Sequence, residues 1–133
     1  MRHLIGAILV VLAMAIPARA NEDIRGVISA QIDAFQMDDF RTAFTYASPN
    51  IRRIFGTAER FGQMVQQGYP MVWRPSEVKF LSIEERQDGL WQSVLMRDAG
   101  GAPHVLEYQM IQTEQGGWLI NAVRLLRGRD GLV

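Results

Sequence analysis

Residues 61–75, FGQMVQQGYPMVWRP, divide the chain into two kinds of sequence. Before them apolar residues recur at helical spacing, and after them, almost to the end, they alternate with a period of two. Phe61, Met64 and Val65 form one face of a helix that Thr57 caps and Gly68 is placed to end. Tyr69-Pro70 then reads as a turn, and Trp73-Arg74-Pro75 as the lead into a sheet, with two prolines fixing the backbone. Helices first and strands second, in one chain of 133 residues, predict a single α+β domain.

Upstream, Asn21-Glu22-Asp23 offers a cap and negative charge for a helix whose stripe is Ile24, Val27, Ile28, Ile32 and Phe35. Asp38 is placed to cap a second helix, with Phe40, Ala43, Phe44 and Ala47 on one face. Ser48-Pro49 starts a third, an N-cap hydroxyl followed by proline where no N–H is needed, and Gly56 ends it. In that helix Ile51, Ile54 and Phe55 are expected to be buried. With the Thr57 helix, four are predicted.

Downstream, strands are expected at 78–86, 90–98, 104–113 and 118–127, joined by short glycine-bearing links that make neighbours antiparallel. The result is a curved four-stranded meander with the helices packed on it, a cone-like shape. With Asp98 opposite Pro103, Arg97 meets His104, Leu95 meets Leu106, Ser93 meets Tyr108 and Trp91 meets Met110. With Thr113 opposite Trp118, Tyr108 meets Val123, Leu106 meets Leu125 and Glu107 meets Arg124. The helix-facing side then holds Trp91, Leu95, Leu106, Tyr108, Met110, Leu119, Val123 and Leu125. The other side still carries Leu90, Val94, Met96, Val105, Ile111, Trp118 and Ile120. A sheet with one wet face alternates more cleanly, so a homodimer packed through the outer sheet face is expected.

Composition narrows the function classes. Arg2 and His3 precede an unbroken apolar run, residues 4–16, and Ala18-Arg19-Ala20 fits the small-x-small cleavage rule. Residues 1–20 are therefore expected to be a signal peptide, shorter than the ~20 apolar residues of a spanning helix, leaving no stable membrane anchor after cleavage. Residues 21–133 form the domain, periplasmic or secreted. Fourteen Lys and Arg balance fourteen Asp and Glu, and the leader removes two arginines, so nothing in the charge favours a nucleic-acid partner. There is no cysteine, which excludes a thiolate nucleophile, a Cys-bound metal and disulfides.

The segments ASPNIRRIFGTAERFGQMVQQGYPMVWRP (47–75) and LEYQMIQTEQGGWLINAVRLL (106–126) resemble a family of uncharacterised exported bacterial proteins, a domain of unknown function. The overall build resembles the nuclear-transport-factor-2-like superfamily, shared by ketosteroid isomerases and polyketide cyclases, and the acidic Asp38-Asp39 junction looks like its first helical pair. The resemblance implies the cone fold. It supplies no catalytic residue and no cofactor, because one fold hosts many chemistries.

Candidate site residues follow from placement. His104, the one histidine beyond the leader, is either a general base at a pocket rim or a solvated strand end; alone it makes no two-histidine metal site. Tyr108, Ser93 and Asn121 are expected on the helix-facing side, lining a pocket or bonding among themselves. Tyr69 and Trp73 either clasp a flat ligand at the cone mouth or plug it. Glu107 reads as a structural ion pair with Arg124. No catalytic set, metal site or cofactor motif emerges. The leading expectation is a non-catalytic module binding a small apolar ligand between helices and sheet. The alternatives are an isomerase- or cyclase-like enzyme using His104 and Tyr108, and an interaction protein with a filled cone.

Overall fold

The computed structural model describes residues 16–126. The body of the expected leader and the glycine-containing tail lie outside the described residues. Five helices, α1 (Ala18–Gln36), α2 (Phe40–Thr45), α3 (Pro49–Phe55), α4 (Ala58–Gly68) and α5 (Pro70–Trp73), precede β1 (Glu77–Arg86), β2 (Gly89–Arg97), β3 (Pro103–Gln112) and β4 (Trp118–Leu126). The strands form one antiparallel sheet in the order β1-β2-β3-β4. The class is α+β, helices packed on a four-stranded meander that stays open. No described helix is long and apolar enough to cross a membrane.

Local chemistry sets the helix ends. The Ser48 hydroxyl accepts from Ile51 N and the Thr57 hydroxyl from Arg60 N, each at 3.2 Å, as their positions before α3 and α4 predict. The cap of α2 is Asp39, which accepts from Thr42 N at 3.2 Å, and not Asp38. Asp38 adopts φ 55°, a left-handed conformation that aspartate tolerates better than most residues. From there its carboxylate takes the Trp73 indole N–H at 2.8 Å and two bonds from Arg74 at 3.1 Å. The clasp joins the α1–α2 corner to the end of α5. The expected Tyr69-Pro70 turn is in fact the start of that one-turn helix, with Pro70 at its first position. The first helix begins at Ala18 with no side-chain cap, so Asn21-Glu22-Asp23 lies within it. Ile54, expected to be buried, is 64 % exposed.

Strand positions agree with the sequence, but one register does not. Arg97 pairs with Pro103, Met96 with His104, Val94 with Leu106 and Gln92 with Tyr108, one residue from expectation. Asp98 causes the slip: its carboxylate accepts from Gly100 N at 3.0 Å and Ala102 N at 2.9 Å, so it belongs to the loop and not to the strand. A one-residue slip exchanges faces. Val94 and Met96 are therefore in the core, while Trp91, Ser93 and Leu95 lie on the outer face. Thr113 is likewise drawn into its loop, its hydroxyl accepting from Gly117 N at 3.1 Å, and Gln112 faces Trp118. A bulge between Gln109 and Met110 compensates, so Tyr108–Val123, Leu106–Leu125 and Glu107–Arg124 pair as predicted. Ile120 returns to the core and Leu119 faces out.

The core is one cluster, with Ile24, Ile28, Ile32 and Phe35 of α1 against Val94, Met96, Leu106, Tyr108 and Met110 of the sheet. Its helical side is built on aromatics: the Phe61 ring centroid lies 5.7 Å from Phe35, 5.3 Å from Phe44 and 5.7 Å from Phe55. Gly62 lets α4 approach Phe40 closely, since a Cβ there would fall 2.4 Å from the ring.

Candidate ligand-binding site

Between the helices and the β3–β4 half of the sheet lies a cavity of about 160 Å³. The stripe of α1 contributes Gln31 and Phe35, α3 contributes Ile51 and Phe55, and α4 contributes Phe61, Met64 and Val65. Tyr69 and Val72 close one side, and Tyr108, Ile120 and Val123 form the floor on the sheet. Gln31, Phe35, Phe61, Val65, Val72, Tyr108 and Ile120 are buried, whereas Ile51, Phe55, Met64, Tyr69 and Val123 are partly exposed. The cavity thus runs from a buried interior to a partly exposed rim. Its volume is close to the ~150 Å³ of an apolar cavity able to hold a benzene molecule, and below the ~300 Å³ at which drug-sized sites begin.

Two buried side chains give this apolar space a polar element. Tyr108 is fully buried, and its hydroxyl meets no hydrogen-bond partner among the described residues. Burial pushes its pKa up, so it stays a neutral phenol. Gln31, 3 % exposed, donates its amide to Ala43 O at 3.1 Å. The sequence reading missed Gln31, though its position was visible: it sits one turn from Ile28 and Phe35 in the apolar stripe of α1.

The remaining candidates are dispersed. Tyr69 lines the cavity. Trp73 does not; its indole is held by Asp38 and its ring lies 4.5 Å beneath the Arg74 guanidinium. Ser93 sits on the outer face opposite Glu107, because of the register slip. Asn121, at the β4 bulge, accepts from the Ser48 hydroxyl at 2.7 Å and donates to Gln109 Oε1 at 3.0 Å, bonding within the protein. His104 pairs through Nε2 with Asp98 Oδ2 at 2.9 Å beside the β2–β3 loop, and that bond leads the lowering of the Asp98 pKa. His104 and Tyr108 share a side of β3, yet only Tyr108 lines the cavity. Among the described residues no group of three or more His, Cys, Asp or Glu is placed to hold a metal ion.

On the outer face Glu107 does pair with Arg124, at 2.8 Å, and also with Arg86, at 2.6 Å. Both guanidinium groups lie over the Trp91 ring, at 5.2 and 5.4 Å. The Glu107 side chain is only 7 % exposed, and its pKa is lowered chiefly by the bond from Arg86. A carboxyl whose folded pKa is depressed contributes stability above its unfolded pKa, ~4.3, and that contribution is lost as pH falls through the folded value. Glu107→Gln is therefore expected to cost about 1–2 kcal/mol at pH 7. In urea titrations its deficit against wild type should shrink below pH 4; a deficit that stays constant into acid would contradict the ion-pair account.

Neither a curated protein nor a solved structure matches the chain. A family model does, over residues 17–131, spanning every helix and strand described above. The chain belongs to the family described as domain of unknown function DUF4864.

Proposed function

We propose that this protein is a non-catalytic binding module whose ligand, small and largely apolar, occupies the cavity between the helices and the inner face of the sheet. The observation that carries the reading is the cavity itself. A core packed only for stability fills such a space, and here a one-ring volume stays open behind a rim of partly exposed apolar side chains. An enzyme built on His104 and Tyr108 has less support, because the histidine is tied to Asp98 outside the cavity lining. The helices-then-meander architecture supports placement within the nuclear-transport-factor-2-like superfamily. The apolar run at residues 4–16 followed by Ala18-Arg19-Ala20, the pattern of a leader, supports action in the periplasm or outside the cell.

The test is nuclear magnetic resonance of the purified protein with added toluene. Shifts should change for Phe35, Val65 and Val123, and not in Val123→Phe, which fills the rim. A wild-type spectrum unmoved by toluene and other one-ring compounds would overturn the proposal.

The partner we propose is a second copy, docked through the outer sheet face. There Leu95 and Val105 pair across β2–β3, and Ile111 and Leu119 across β3–β4, all partly exposed. The charges between these rows, Arg86, Arg124, Glu84 and Glu107, are matched within the chain. This part of the face therefore brings no net charge to a second copy. Light scattering at micromolar concentration should give twice the chain mass, reduced to one chain by Val105→Lys; a wild-type monomer would rule the dimer out.

A further inference from the structure

We infer that the ligand of the cavity is neutral and carries a hydrogen-bond-accepting oxygen, a ketone or an alcohol of about one ring, anchored by the Tyr108 hydroxyl. The inference rests on the reading of the cavity as a ligand site and adds the chemistry that site selects. Tyr108 is 0 % exposed and is one of the lining residues, and its hydroxyl, closed over in the unliganded chain, has no partner among the described residues; a ligand oxygen reaches it by parting the side chains around it. A buried hydroxyl left unbonded is costly, and native interiors seldom keep one unless something else completes it. Gln31 belongs to the same lining, and its side-chain carbonyl is of the type that accepts from an alcohol.

Charge selection follows from what is missing from the walls. Apart from the tyrosines, the cavity lining contains no titratable side chain. A carboxylate or ammonium entering it loses its hydration and meets no opposite charge, a large penalty. The phenol cannot ionise to pair with an ammonium, because burial holds it protonated. The walls thus reject ions, and the hydroxyl separates an oxygen-bearing neutral ligand from a bare hydrocarbon of the same shape.

A set of ring compounds of one size tests this: cyclohexane, cyclohexanone, cyclohexanol, cyclohexanecarboxylate and cyclohexylammonium, titrated at pH 7 into the full chain and its Tyr108→Phe variant. In wild type the ketone and the alcohol should bind about tenfold more tightly than the hydrocarbon, and the two ions should not bind. In Tyr108→Phe that tenfold gap should close while cyclohexane binding persists, and the unliganded variant should be at least as stable as wild type. If the variant does not fold, a carbon-13 label at Cζ of Tyr108 in wild type replaces it, shifting with cyclohexanone but not with cyclohexane. Equal binding of hydrocarbon and ketone, as expected when trapped water already satisfies the hydroxyl, would overturn this inference and leave the binding module standing. Tight binding of either ion would do the same. Failure of all five compounds would remove both.

Discussion

Phe61→Ala is expected to destabilise the protein by about 3–5 kcal/mol, the largest loss from any single side chain in the helical layer. Phe61 is 6 % exposed and touches three other phenylalanines from three different helices. Truncation removes the ring shared by α1, α2, α3 and α4, and their short connections leave little freedom to collapse into the gap. Against a typical total of ~5–15 kcal/mol, that is a large fraction, visible as a lower urea midpoint with an unchanged slope. Phe61 is also a wall of the cavity. If the variant stays folded, it should accept two-ring compounds that wild type excludes. A loss below ~1 kcal/mol would mean that the aromatic cluster does not hold the helices together.

The second large effect concerns a polar residue. Gln92→Leu keeps volume and burial nearly constant and removes a carbonyl oxygen that is buried without a partner among the described residues, yet it is expected to cost about 2 kcal/mol. Gln92 is fully buried, and its amide nitrogen lies 3.0 Å from Leu81 O, 3.2 Å from Ser82 O and 2.8 Å from Ser93 O. The first two carbonyls belong to the β1 bulge, where the ladder between Phe80 and Ile83 is interrupted. Leucine supplies no donor, so the bulge would have to open toward water. Amide exchange should accelerate in β1 ahead of β3; uniform acceleration, or no loss of stability, would count against a local role.

Much of this architecture was legible in the residues. Ser48-Pro49 and Thr57 announced α3 and α4 because capping is local chemistry, decided within three residues. The strands were visible because alternation needs no partner. What could not be read was how strands meet. Asp98 and Thr113 look like strand ends, and only loop geometry shows that their side chains turn inward to hold amides. That single feature moved Ser93 to the outer face and Val94 into the core. Asp38 defeated local reading for a related reason: its partners, Trp73 and Arg74, are 35 and 36 residues away. In the cavity, Tyr69 and Tyr108 were anticipated as candidates. Gln31 was not among them, because one polar residue in an apolar stripe carries no local signal of what it faces.

The open meander leaves two strand edges, and the fold treats them differently. Along β4, Ile120 N donates to Tyr46 O at 2.9 Å and Ser48 N donates to Ile120 O at 2.8 Å, so the chain before α3 covers part of that edge. Along β1, the bulge breaks the straight run of backbone groups, and Glu77, Lys79, Glu84 and Glu85 are exposed. Flat, bare edges are where extended segments from other chains add on and grow into fibrils. With one edge partly covered and the other bent and charged, ribbon-like growth has no good starting point. Concentrated solutions of this protein should stay clear, and amyloid-binding dyes should find nothing to stain until the β1 bulge is straightened.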